Sequence, residues 1–252
     1  MSNIPLKPLK WYRNLATKKG RLEAGAFLIE GDRAIRQVIN SHPEAIVEII
    51  TVIEPPSVYA NYPVRQVTEA QFHAISFTRT PQGITAVVLL PADVYSSKLP
   101  EDIGNKILLL EDIQDPGNVG TLIRTAAAFD FDGIILTEKC ADPLSPKSVL
   151  STVGSVLSIW LRRTTDYIKL AETLKKAGYC VVAAELNGRE NPSVLYDRDK
   201  LLLALGNETA GLSETLLNMS DYRLRIPTTR EKAESLNVAA CGAICVFLSS
   251  RK

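Results

Sequence analysis

The sequence carries only two histidines and four cysteines in 252 residues. His42 and His73 both fall in the first third, far in sequence from Cys140, Cys180, Cys241 and Cys245. Neither a Cys/His zinc site nor a Ser-His-Asp triad is supported, and no metal is expected. The cysteines show no C-x-x-C spacing and lie in apolar or mixed surroundings, which reads as reduced, buried thiols. No run of about 18 apolar residues occurs, and the first twenty residues contain no apolar signal core. Neither a membrane span nor a secretory leader is therefore expected, and the expected compartment is the cytoplasm. A G-x-G-x-x-G after a strand is missing, as is any G-x-x-x-x-G-K-[ST], so dinucleotide and P-loop chemistry find no support. An overall charge excess is missing too. Lys plus Arg total 29 against 28 Asp plus Glu, so the average charge says nothing about a polyanionic partner.

What is present is a chain 46% hydrophobic, enough to bury one large domain or two small ones, and two are expected. Charge is unevenly spread. From Met1 to Asn40 stand Lys7, Lys10, Arg13, Lys18, Lys19, Arg21, Arg33 and Arg36 against Glu23, Glu30 and Asp32. Such an excess suits a phosphate backbone, although a solvated basic surface is its commoner cause.

The stretch LLLEDIQDPGNVGTLIRTAAA (108–128) reads as strand, turn and helix. Ile107 to Leu110 form an apolar run suited to a buried strand. Acidic residues, a proline and two glycines then break it, and Val119, Leu122, Ile123, Ala126 and Ala127 recur on one helical face. Upstream, residues 9–24 predict a basic amphipathic helix, AGAFLIEG a strand, 32–40 a helix, 47–53 and 63–68 strands, EAQFHAIS a helix and 83–91 a strand. Together they predict a small α/β domain over residues 1–95, with polar SSKLPEDIGNK (96–106) as linker. Downstream, strands at 107–111, 133–137, 179–185, 200–206 and 222–227 are interleaved with helices at 118–129, 148–154, 167–178, from Ser213 and from Leu236, and with the apolar stretch SVLSIWL (155–161). That alternation predicts a second domain, 107–252, built on a mostly parallel sheet covered on both faces.

Three turns that follow strands should open on one edge of that sheet: DPGNVG (115–120), GNETAGLS (206–213) and IPTTREKAESLN (226–237). They offer Asn118, Arg124, Asn207, Glu208, Ser235 and Asn237. In any single turn, Gly and Asn serve the turn, and an arginine on a helix is ordinarily just solvated. Three such turns on the ligand-binding edge of an α/β sheet point instead to a site.

These three stretches, in this order and spacing, closely resemble the motifs of the SpoU/TrmH branch of the SPOUT RNA methyltransferases, over residues 107–252. Residues 9–91 resemble that family's substrate-binding extension, a small fold like a ribosomal protein, most clearly in FLIEG (27–31) and TPQG (80–83). The resemblance implies methylation of a ribose 2′-oxygen with S-adenosylmethionine. Ribosomal RNA is favoured over transfer RNA because of the ribosomal-protein-like extension. A non-catalytic RNA-binding or ribosome-assembly protein is the alternative. It also implies a C-terminal trefoil knot.

Carried over by motif, Arg124 looks like the catalytic arginine and Asn118 its partner. Glu208 matches the acidic residue of the second motif, and Ser235 and Asn237 match the polar pair of the third. Gly206, Ile226 and Leu236 look like cofactor contacts, with Leu205 and Ala184 lining its pocket. The expected RNA contacts are Lys10, Arg13, Lys18, Lys19 and Arg21. Where the family often has arginine, SPKSVLSTVG has Leu150, which removes a phosphate contact or shifts it to Lys147. The third motif is one residue longer than usual, carrying Arg230 and Lys232. Finally, LNVAACGAICVFL (236–248) is apolar on every side, so it must be covered twice, which the resemblance assigns to a second copy in a homodimer.

Overall fold

The computed structural model describes residues 7–229, 231, 232 and 235–250. It divides into two compact units, Met1–Pro91 with Pro143–Ser158, and Ala92–Asp142 with Ile159–Lys252. In chain order the first part runs α1 (Leu9–Asn14), α2 (Lys18–Ala24), β1 (Ala26–Glu30), α3 (Asp32–Ser41), β2 (Ile46–Thr51), β3 (Val64–Gln66), α4 (Glu69–Ile75) and β4 (Ile84–Leu89). There follow β5 (Lys106–Leu110), α5 (Pro116–Ala128), β6 (Gly133–Thr137), α6 (Pro146–Thr152), β7 (Trp160–Thr164), α7 (Tyr167–Lys176) and β8 (Cys180–Ala184). The chain ends with β9 (Leu201–Leu205), α8 (Glu214–Met219), β10 (Tyr222–Leu224) and α9 (Val238–Ser249).

In the N-terminal unit the four strands lie in the order β1-β4-β2-β3. β4 is antiparallel to both neighbours, while β2 and β3 are parallel. The single basic helix expected over 9–24 is two helices. The first ends at Asn14, and Thr17 caps the second, its hydroxyl accepting from Gly20 N at 3.0 Å. One expected RNA contact is corrected here. Arg21 is 1% exposed, and its Nη1 donates to the carbonyls of Leu15 (3.1 Å) and Ala16 (3.0 Å). Those carbonyls follow the end of α1, where a cation satisfies orphan acceptors, so this guanidinium holds the helix pair together and faces no phosphate.

Helix α6, read from sequence as part of the C-terminal alternation, packs on β1 in the N-terminal unit. The turn after it fits closely under α3: a Cβ on Gly154, whose φ is +90°, would lie 2.4 Å from the Ala34 carbonyl oxygen. Val153 and Gly154 both adopt left-handed backbone, and a 3-10 turn at Ser155–Leu157 follows. Strand β7 therefore begins at Trp160, later than the apolar stretch at 155–161 suggests.

The C-terminal unit is a six-stranded sheet, β10-β8-β9-β5-β6-β7, in which every neighbouring pair is parallel. Ile107 to Leu110 and Leu201 to Leu205 are buried along their whole length, as central strands covered on both faces must be. Residues 92–105 lie on this unit and do not form a free tether. Val94 O accepts from Arg163 N, and Lys98 O from Arg162 Nε. Of the four thiols, Cys140 and Cys245 are buried, Cys180 and Cys241 half-buried, and all are free. Among the described residues no helix is long and apolar enough to cross a membrane, and no cluster of His, Cys, Asp and Glu is placed to hold a metal.

Candidate active site

Chain order and strand order diverge at the middle of the sheet. From β5 the chain moves outward to β6 and β7, then returns on the other side, where β9 pairs with β5. The carboxyl ends of β5 and β9 therefore flank a switch point, the crevice in which open parallel sheets bind ligands. In register, Leu110 sits beside Leu205, Leu205 beside Ala184, and Ala184 beside Leu224. The loops after β5, β8, β9 and β10 leave the sheet from this one row.

Three loops meet through side chains. Asp115 caps α5, accepting from Asn118 N at 3.0 Å, which places Asn118 in the first turn with its amide free to reach across. Asn118 Nδ2 donates to Glu208 Oε1 at 2.7 Å, and Asn118 Oδ1 accepts from Asn237 Nδ2 at 3.1 Å. Asn237 is itself the N-cap of α9, its Oδ1 accepting from Ala239 N (2.9 Å) and Ala240 N (3.2 Å). A chain of hydrogen bonds thus runs from the start of α9, through α5, to the carboxylate of Glu208, and holds that carboxylate at the edge of the site.

The loop after β9 is built to present Glu208. Asn207 and Gly211 exchange backbone hydrogen bonds (3.1 and 2.9 Å), Asn207 Oδ1 accepts from Thr209 N and Ala210 N, and Asn207 Nδ2 donates to Asp112 O at 2.9 Å. Gly206 is required by this closure. A Cβ there would stand 2.3 Å from the Gly211 carbonyl carbon and 2.5 Å from Leu212 N. Asn207 therefore serves the loop's shape, which is the ordinary role of asparagine in a turn.

Below it lies a residue that sequence reasoning passed over as a strand terminator. Glu111 is buried, its Oε1 accepting from Tyr167 Oη (2.8 Å) and its Oε2 from Ser213 N (2.7 Å). Burial, with the carboxylate beside it, pushes the Tyr167 phenol up to about 12. Asp112, next in sequence, has φ +58° and ties to Thr137 and Lys139. The available signal was a carboxylate directly after four apolar strand residues, a position that buries charge unless partners are supplied.

Arg124 is exposed on α5 and has no hydrogen bond or ion pair among the described residues. It is six residues past Asn118, so helix geometry sets it about 9 Å further along the axis and roughly 120° around it. Within one chain it does not join the Asn118–Glu208–Asn237 cluster. Nor does Ser235, which is exposed without a hydrogen bond among the described residues. Of the expected cofactor contacts, Leu205 is buried in β9, Gly206, Ala184 and Ile226 are half-buried at the strand ends, and Leu236 is 37% exposed beside Asn237. Arg230 lies outside the described residues. Lys232 is exposed, as are Lys10, Arg13, Lys19 and Lys147, while Lys18 is half-buried.

Residues 105–247 match the SpoU rRNA Methylase family, and residues 7–86 match the MRM3-like substrate binding domain. The chain is 33% identical over 244 residues to the 23S rRNA (guanosine(2553)-2′-O)-methyltransferase RlmP of Bacillus subtilis, covering 95% of this chain and 94% of that protein. The solved structure of the SpoU methyltransferase AviRb from Streptomyces viridochromogenes in complex with AdoMet superposes with TM-score 0.81 at 26% identity, covering 98% of each chain. An AdoMet-bound rRNA methyltransferase from Sinorhizobium meliloti superposes with TM-score 0.78 at 29% identity, over 96% of this chain and 93% of that one. With three loops joined at the switch point of a parallel sheet and both halves matched, the chain belongs to the SpoU rRNA methylase family.

Proposed function

We propose that this protein transfers a methyl group from S-adenosylmethionine to a ribose 2′-hydroxyl of structured RNA, ribosomal in preference to transfer RNA. The observation that carries the reading is the Asn237–Asn118–Glu208 chain, which draws the polar residues of three loops to one sheet edge. RlmP, a 23S rRNA 2′-O-methyltransferase, and the AdoMet-bound methyltransferase AviRb support the reading. The cofactor would be held at Gly206, Leu205, Ala184, Ile226 and Leu236. Two leucines near the carboxyl-edge loops suit an apolar part of such a group: Leu186, two residues past β8, and Leu236, beside the N-cap of α9, are both exposed. When bound, S-adenosylmethionine supplies a methyl on a sulfonium whose positive charge disappears on transfer. The chain's part is to bind the donor and to hold the Glu208 carboxylate at the sheet edge, while Arg124, which stands apart from that cluster within one chain, sets its charge at the 2′-oxygen from the second copy of the dimer, where the oxygen becomes an alkoxide. A substrate phosphate or water takes the proton.

The functional unit in this reading is a homodimer. On α9, Ala240, Ile244 and Phe247 face outward, and Phe247 meets Phe129 edge to face at 5.8 Å between ring centroids. This apolar stripe supports a second copy as its cover. Light scattering at micromolar concentration should give twice the 27.6 kDa chain mass; a species of single-chain mass alone would refute the dimer. The knot belongs to the same reading. Its support is the contact of α9 with α5 and with residues 192–195, and the bonds from Lys106 Nζ to Ser249 O and from Ser250 Oγ to Phe129 O. The compartment we assign is the cytoplasm, in keeping with four free thiols.

The N-terminal unit captures RNA through Lys10, Arg13, Lys18 and Lys19. Each phosphate contact adds about 0.7 to 0.9 to the log–log salt slope. Calorimetry should therefore show S-adenosylmethionine binding that is unchanged by charge reversal at Lys18 and Lys19, while RNA binding weakens and its salt slope falls. RNA binding without any cofactor binding would instead favour the non-catalytic RNA-binding protein.

A further inference from the structure

FLIEG and TPQG, the two N-terminal stretches singled out in the sequence, meet at one place. The Glu30 carboxylate accepts from Ser76 Oγ (2.8 Å), Thr78 Oγ1 (2.7 Å) and Gln82 N (3.4 Å). Its lone pairs are thereby committed to ordering the loop 76–82. Between that loop, β1 and α6 lies a cleft of about 540 Å³, lined among others by Phe77, Thr78, Arg79, Thr80, Lys147 and Leu150. All of these belong to the N-terminal unit. Its size falls in the ~300–1,000 Å³ range that accommodates small planar ligands.

The lining is unusual for a structural groove. Phe77 is 38% and Leu150 44% exposed, so an aromatic ring and a leucine stand open to water. Arg79 is exposed without hydrogen bond or ion pair among the described residues, and Lys147 adds a second cation. The carboxylate within the cleft is already spent on the loop. Over the whole unit, eleven Lys and Arg outnumber seven Asp and Glu, whereas in the C-terminal unit eighteen face twenty-one. The charge suits phosphate. The exposed ring suits a base that has left its stack, and the small concave volume has no room for a duplex, whose bases are paired and stacked.

We infer that this cleft takes one unstacked nucleotide of a single-stranded RNA segment, its base against Phe77 and its phosphate on Arg79 and Lys147. The inference rests on the RNA-methylating reading and adds to it a docking point for an unpaired loop. Leu150, which stands where the family often has arginine, then supplies apolar area to the base, and the phosphate contact passes to Lys147.

The test uses the full-length protein and hairpin RNAs carrying 2-aminopurine at each loop position in turn. One position should be quenched on binding. Phe77→Ala should abolish that quench and weaken hairpin binding about 5- to 150-fold, the range for losing one base–aromatic stack, and Phe77→Tyr should retain both. Arg79→Ala should lower the salt slope by about 0.7. S-adenosylmethionine affinity should be unchanged in all three variants, and circular dichroism and thermal unfolding matching wild type would report that the N-terminal unit, where the substitutions lie, still folds. Phe77→Ala that binds within twofold of wild type with its quench intact overturns the inference, as does adenosine monophosphate competing at the same concentration as the hairpin. A wild-type protein that binds no RNA and transfers no methyl overturns the functional reading itself, an outcome distinct from both.

Discussion

Arg124→Ala should keep the fold and the S-adenosylmethionine affinity and slow methyl transfer by about 100- to 1,000-fold, the penalty for removing one preorganised donor at a developing oxyanion. The fold should survive because Arg124 is exposed on α5 with no partner among the described residues, so nothing is left unpaired by its loss. The chemistry should fail because a ribose hydroxyl is a poor nucleophile at neutral pH. A guanidinium that stays charged cannot serve as a simple base, but it stabilises the alkoxide wherever water is excluded by bound RNA. Arg124→Lys should rescue poorly, since a point charge does not reproduce the planar fork. Single-turnover transfer with RNA and cofactor saturating measures this directly. A rate for Arg124→Ala within about threefold of wild type would refute the assignment.

Glu111→Ala should have the largest effect on stability. The substitution strands two donors inside the C-terminal unit, Tyr167 Oη and Ser213 N, and opens a cavity beneath the Glu208 loop. One fully buried unsatisfied group costs about 1–3 kcal/mol, so the pair costs at most roughly 2–6 kcal/mol, toward the lower end because Tyr167 and Ser213 are half-buried. Because Ser213 also caps α8, the loop from Gly206 onward should loosen, and cofactor affinity should fall with stability. Glu111→Gln should be milder. Its carbonyl oxygen serves one donor, and the tyrosine hydroxyl can turn to accept from the amide. Denaturant unfolding of the three proteins decides the matter: an alanine variant within about 0.5 kcal/mol of wild type would mean that Glu111 holds nothing together.

Much of the catalytic half was legible because its signals are local. Four apolar residues before a Pro-Gly turn, then a 3.6-residue period, permit little besides β5 and α5. The meeting of the three loops was legible because a parallel sheet puts every strand's carboxyl end on one edge. Strand order was not, since nothing local in LLLAL says that β9 inserts between β5 and β8. Arg21 was misread because a basic run looks the same whether a guanidinium meets water or the end of a neighbouring helix; only the α1–α2 turn decides it. The place of α6 was hidden for a related reason. Its apolar face fits either unit, and the close seating of Gly154 beneath α3 is a long-range contact. Glu111 was readable as an oddity, a charge ending a buried strand, but its partners lie 56 and 102 residues away.

The most direct test of the RNA methylation reading is a map of ribose 2′-O-methylation across ribosomal and transfer RNA from cells with and without the gene. One ribosomal RNA nucleotide should lose its methyl group without the gene, regain it when the wild-type gene is supplied, and not regain it with Arg124→Ala. Identical maps in the two strains, in a protein that also fails to bind S-adenosylmethionine, would contradict that reading.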